Sequence, residues 1–144
     1  MEKLEFILEQ WKKDAVIDQT EPGREIINIP LLHSKYLNML MEHKLALKKA
    51  QFDFYRMKKV KWEYYTGKMP EEELSVRGWD PFPFTLKSDI NTYFDADPDL
   101  IKLQEKEVYH KECIVALESI MGELKSRTFQ IRDFIVWERF VAGQ

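Results

Sequence analysis

Two long stretches of this chain carry residues that recur in steps of four and three, and that spacing leaves few folds open. The first covers about residues 31–66 and runs through Tyr36, Leu40, His43, Leu47, Ala50, Phe54, Met57, Lys61 and Tyr64. The second starts near Asp97 and runs through Leu100, Leu103, Glu107, His110, Ile114, Leu117, Met121, Leu124, Thr128, Ile131, Ile135 and Glu138. Residues so spaced line one face of a helix that packs against another helix. Two such faces predict an all-α fold built on a long antiparallel, coiled-coil-like hairpin. Between them "WDPFPFTL" cannot be helical, because Pro81 and Pro83 hold the residues before them extended. Its aromatics Trp79, Phe82 and Phe84 are expected to strap this segment against the helices. Five Gly and six Pro leave no room for a turn-rich β architecture.

Local punctuation sets the other boundaries. Leu4, Ile7, Leu8 and Trp11 predict a short amphipathic N-terminal helix. Pro22-Gly23 breaks the pattern after it, and Asp18 or Thr20 is placed to cap the next helix. Pro30 suits a first turn, so residues 1–30 read as N-terminal helix and linker, and 31–66 as the first long helix. The seam is apolar up to Met57 and then meets Lys61, which places the last turns outside the common core. Gly67 fits a left-handed cap. Residues 67–96 hold two short helices, one in "PEEELSVRG" and one capped by Ser88 that carries Ile90, Tyr93 and Phe94. Asp97, Pro98 and Asp99 open the second long helix with a cap, a proline and an acid in order. Ser126 and Thr128 mark a bend that divides it into 97–125 and a C-terminal helix, 126–144. Together these make one helical domain.

No run of about 18 apolar residues exists, so no membrane-spanning helix is expected. "MEKLEFILEQW" is acidic and amphipathic, unlike a secretory leader. The single cysteine, Cys113, excludes an internal disulfide, suits a reducing compartment and reads as a small helix-packing residue.

Charge is distributed unevenly. Residues 44–68 hold eight Lys/Arg against Asp53 and Glu63, a local balance of +6 in a chain whose net charge is −3. Residues 89–123 hold nine acids and three lysines. On a helix Lys44, Lys48, Tyr55, Lys59 and Trp62 form one stripe, widened by Arg56, Lys58, Lys61, Tyr65 and Lys68. Two readings stay open. One is a solvated helix end, favoured by the helix dipole and paired with the acidic second helix. The other is a surface for single-stranded nucleic acid, where lysines attract phosphate and aromatic faces stack on bases.

"FQIRDFIVWERFVAG" is apolar nearly all round. Ile131 and Ile135 take one face, Phe134, Trp137 and Val141 a second, and Phe129, Val136 and Phe140 a third. Such a helix must be covered from several sides, and another subunit is the expected cover. Catalytic signatures are missing. Asp95, Asp97 and Asp99 begin like a calcium loop, but Leu100 stands where the turn needs Gly and Lys106 where it needs Glu. His110 and Cys113 are half a zinc site, and Pro98-Asp99 with Glu105-Lys106 lacks nuclease spacing. Neither metal, cofactor nor enzymatic activity is expected.

The segments "KKDAVIDQT", "LHSKYLN", "KWEYYTGK", "WDPF" followed by "LKSDINTYFDADPDL", and "SRTFQIRDFIVWERFVAG" span nearly the whole chain. In their order and spacing they resemble the UvsY family, recombination mediators of T-even-like bacteriophages and their cyanophage relatives. The resemblance implies a helical, non-enzymatic protein in the cytoplasm of the infected bacterial host. It implies a ring-like homo-oligomer of about six or seven subunits. It also implies single-stranded DNA, a UvsX-type recombinase and the phage single-strand-binding protein as partners. The family's DNA-contacting pair falls on Lys59 and Lys61, flanking Val60; a lysine at the second position holds phosphate without the planar fork of an arginine. The expected DNA-binding residues are thus Lys48, Arg56, Lys58, Lys59, Lys61, Trp62, Tyr65 and Lys68. Those expected to join subunits are Phe129, Ile131, Phe134, Ile135, Trp137, Phe140 and Val141.

Overall fold

A computed structural model describes residues 1–83 and 87–143, so Phe84 of the strap lies outside the described residues. The fold is all-α, with five helices in order: α1 (Leu4–Asp14), α2 (Pro22–Tyr65), α3 (Glu71–Arg77), α4 (Ile90–Ala96) and α5 (Pro98–Val141).

Three boundaries differ from the sequence pattern. α2 starts at Pro22, where a missing N–H is harmless, and the Glu25 N–H already donates to the Glu21 carbonyl at 3.2 Å. Pro30 therefore sits inside the helix. An interior proline costs about 3 kcal/mol, but here it is exposed, and the carbonyl it leaves unpaired can turn toward water. Asp18 and Thr20 cap nothing; the Thr20 N–H and hydroxyl both donate to Asp18 Oδ1, at 2.9 and 2.6 Å, and close a turn. α5 runs unbroken through Ser126, whose hydroxyl donates to the Gly122 carbonyl one turn back at 3.3 Å. Finally, Asp89 and not Ser88 takes the N-cap position of α4.

The chain divides into two compact units, Met1–Leu45 with His110–Gln144, and Ala46–Tyr109, and α2 and α5 contribute to both. In the first unit α2 and α5 run antiparallel, since Glu25 meets Arg127 at 3.1 Å and Lys44 meets Glu118 at 3.8 Å. Their seam buries Tyr36, Met39 and Leu40 against Cys113, Leu117, Ile120 and Leu124, and α1 adds Ile7. Each such side chain, fully buried, contributes roughly 1.5–3 kcal/mol. Arg127, itself buried, ties the end of α1 down by donating to the carbonyls of Asp14 (2.7 Å) and Val16 (3.3 Å). The seam also joins two histidines invisible as a pair in the sequence. His43 Nδ1 lies 3.0 Å from His110 Nδ1, and His43 Nε2 lies 2.8 Å from the Glu2 carbonyl.

The second unit wraps α3, the strap and α4 around the last turns of α2. Tyr65 is its hub, with Phe82, Tyr93 and Phe94 at ring-centroid distances of 4.9, 5.5 and 6.1 Å. Trp79 and Phe82 of the strap lie 5.1 and 5.6 Å from Tyr64, whose hydroxyl donates to the Asp80 carbonyl at 2.7 Å. The strap thus packs as the sequence predicts for its described part.

Candidate nucleic-acid interface

In the second unit the apolar pattern of α2 stops at Lys61. Lys61 is only 5% exposed. Its ammonium lies 3.1 Å from Asp97 and 2.7 Å from Asp99, and 4.0 Å from the centroid of Trp79. A buried lysine is tolerable only when its charge is paired and its hydrogen bonds are made, and both conditions hold here. Asp97 links the parts. One oxygen caps α5 by accepting the N–H groups of Asp99 and Leu100, each at 3.0 Å. The other accepts the Tyr65 hydroxyl at 2.6 Å and faces Lys61. Lys61 and Tyr65, expected on the DNA-facing surface, are therefore interior groups of this protomer. The correction has a simple cause: Lys59 and Lys61 are two positions apart, about 200° around a helix, so they face opposite ways.

The outward face holds the other candidates. Lys48, Arg56, Lys58, Lys59, Trp62 and Lys68 are all exposed. So are Phe52 (57%) and Tyr55 (65%). Phe52 completes the pattern: Lys48, Phe52, Tyr55, Lys59 and Trp62 step by four, three, four and three, so two cations and three rings share one line. Over that span the line is about 21 Å long. Local geometry positions its lower end. Gly67, at φ 73°, ends α2 with the Lys68 N–H donating to Glu63 (2.9 Å) and the Gly67 N–H to Tyr64 (3.2 Å). This left-handed turn folds Lys68 back, and its ammonium stands 4.3 Å from the Trp62 ring centroid. Lys58 leans on Phe94 at 5.5 Å. Asp53 lies 3.5 Å from Lys49 and 3.9 Å from Arg56, and both pairs are too exposed to immobilise the cations. Lys44, by contrast, belongs to the first unit, where it faces Glu118.

The residues expected to join subunits also separate. Ile131 is 1% exposed, covered within its own chain, and so is unavailable to a partner. Phe134 and Ile135 are half-buried. Phe129, Val136, Trp137, Phe140 and Val141 are exposed, and Trp137 stacks on Phe140 at 5.8 Å.

A family model described as "Recombination, repair and ssDNA binding protein UvsY" matches residues 10–144. The chain belongs to the UvsY family. The recombination protein uvsY of Enterobacteria phage T4 is 30% identical to it over an alignment 146 residues long that covers 99% of each chain. A crystal structure of the bacteriophage T4 recombination mediator protein UvsY, in lattice type II, superposes with a TM-score of 0.83 at 26% identity, covering 99% of both chains. A second, in lattice type I, gives 0.81 at 26% identity over 93% of this chain and 97% of the other. The UvsY family is one of recombination, repair and single-stranded-DNA-binding proteins.

In this UvsY-family chain the buried cluster makes folding acid-sensitive. Burial would raise the Asp97 carboxyl, but hydrogen bonds from Tyr65, the Leu100 N–H and Lys61, with the lysine charge, outweigh it and hold the group below its ordinary 3.8. Burial, with the bond to Asp97, pushes the Tyr65 phenol well above its usual range. Asp14, bonded by Lys35 (2.6 Å) and Tyr36 (2.7 Å), is likewise lowered against the opposing effect of its burial. A carboxyl that titrates lower when folded binds fewer protons than in the unfolded chain, so its contribution is full above about pH 4 to 5 and is lost as pH falls through the folded value. Unfolding free energy, followed by urea titration, is expected to drop as pH falls below about 5. Asp97→Asn should make that drop shallower.

Proposed function

We propose that this protein is a recombination mediator that holds single-stranded DNA along the outward face of the last turns of α2, repeated around a ring-like homo-oligomer. What carries the reading is the line of exposed cations and rings from Lys48 to Trp62, in a chain whose family is one of single-stranded-DNA-binding proteins. Lys48, Arg56, Lys58, Lys59 and Lys68 attract phosphate whatever the sequence, and Phe52, Tyr55 and Trp62 offer rings to unpaired bases. Lys61 and Tyr65 serve the same site from inside by fixing the helix end. Each face is a weak site, and a strand crossing several copies gains by effective concentration. Oligomerisation runs through the exposed Phe129, Val136, Trp137, Phe140 and Val141.

The mediator acts without catalysis, in the cytoplasm of the infected host. The ring bends the strand into a path that the phage single-strand-binding protein tolerates poorly and a UvsX-type recombinase tolerates well. Only such differential affinity shifts their competition. A scaffold that touches no nucleic acid is the rival, favoured by the pairing of Lys61 with Asp99 and of Lys44 with Glu118, both acids of α5. Sedimentation with a fluorescent oligodeoxynucleotide separates the two. The mediator carries the label in an oligomeric boundary at low salt and releases it as salt rises; a scaffold leaves the label behind. Tyr55→Ala should weaken retention by roughly 1–3 kcal/mol with little change in salt dependence, as loss of one stacked base requires.

A further inference from the structure

Trp62 stands on the outward line of α2 with 38% of its surface exposed, and one face of its indole is already taken. The Lys68 ammonium lies 4.3 Å from the ring centroid, within the range where the negative face of the ring attracts a cation. The local chain produces this contact. Gly67 holds φ 73°, and the Lys68 and Met69 N–H groups both donate to the Glu63 carbonyl, at 2.9 and 3.1 Å. Met69 is buried, so the backbone beneath Lys68 is anchored and its side chain is led back over the last turn of α2. That side chain is itself exposed, and no ion pair holds it among the described residues.

A base cannot share the face. Stacked planes lie about 3.4 Å apart, so a base between ring and ammonium would need them roughly 7 Å apart. Lysine and base therefore compete for one position. The lysine's hold is weak at an exposed site, and a base offers the ring a broad stack in its place. A single strand supplies both halves of the exchange: its base replaces the ammonium on the ring, and its phosphate receives the ammonium that leaves. A polyanion without bases supplies the second half alone, and a flat apolar compound the first alone.

We propose that Lys68 is a gate on Trp62: it covers the ring in the free protein and moves onto a phosphate of the bound strand as a base takes its place. This rests on the reading of the outward face of α2 as a single-strand interface. It gives that face a selectivity for ligands that carry bases and phosphates together.

Fluorine NMR of the full chain grown with 5-fluorotryptophan tests it. The chain has four tryptophans, and Trp62→Phe identifies the signal of Trp62. Without DNA, Lys68→Ala should shift that signal, because the charge leaves the ring. With saturating oligodeoxythymidylate, parent and Lys68→Ala should give the same Trp62 signal, since each ring then faces a base. A base-free deoxyribose-phosphate oligomer should move the parent's signal to the position of free Lys68→Ala. In anisotropy titrations against salt, Lys68→Ala should flatten the slope of log affinity by about 0.7, the share of one phosphate contact on a single strand. Signals that coincide without DNA place no ammonium on the ring, and signals that stay apart with DNA show that it never leaves; either result overturns the gate while binding stands. A base-free oligomer that shifts the signal as the thymidylate does overturns the exchange, because no base is then needed. An unchanged salt slope overturns the transfer to phosphate. A parent chain that binds no oligodeoxynucleotide overturns the interface, and the gate with it.

Discussion

Lys61→Ala is expected to lower folding stability by about 3 kcal/mol, because it strands the buried Asp97 carboxylate beside a cavity. The Tyr65 hydroxyl and two backbone N–H groups still serve that carboxylate, which keeps the loss toward the lower end for a broken buried pair. Asp99 is half exposed and turns to water. In a chain of this size the melting temperature should fall by roughly 10 °C. Lys61→Met restores the volume but not the charge, so it should remain destabilised on its own. Combined with Asp97→Asn it should lose less than the two single changes added, and the difference is the coupling between the partners. A thermal shift of a degree or less for Lys61→Ala would mean that the ammonium is solvated, and the interior assignment would be wrong.

The second large effect belongs to the outward face. Lys58, Lys59 and Lys68 changed together to Ala should leave the fold intact, since all three are exposed and none is ion-paired among the described residues. The loss should appear in binding. Each phosphate contact on a single strand adds about 0.7 to the slope of log affinity against log salt, which is about a fourfold effect at 0.15 M salt. Three contacts amount to roughly 50-fold from one subunit, and more where several subunits share a strand. Fluorescence anisotropy at three salt concentrations measures both quantities. Affinity within twofold of the parent would remove these lysines from the interface.

Much of this architecture is legible in the sequence because helix periodicity is local. The two seams predict the hairpin, Gly67 marks the end of α2, and the strap prolines mark the extended segment beyond α3. Pro30 misleads because tertiary packing on both sides of a helix can carry one exposed interior proline. Lys61 misleads for a different reason. A charge in an apolar seam reads as the end of the core unless its partner is known, and Asp97 lies far along the chain. Asp97 itself is readable as a cap, but nothing local says that its second oxygen serves a lysine and a tyrosine. Phe52 escapes a stripe traced from Lys48 to Tyr55 in a single step of seven, which passes over the ring between them. Ile131 falls among the intersubunit residues because a helix apolar all round does not reveal which side its own chain covers.

One comparison bears most directly on the division between an inner and an outer lysine. Affinity for a fluorescent oligodeoxynucleotide is measured from low to moderate salt for the parent, Lys59→Ala and Lys61→Met, at a temperature where all three are folded. Lys59→Ala should flatten the salt dependence by about 0.7 for each contact removed, whereas Lys61→Met should shift the line without changing its slope. A slope that falls for Lys61→Met and stays put for Lys59→Ala would place the strand on the opposite side of the helix.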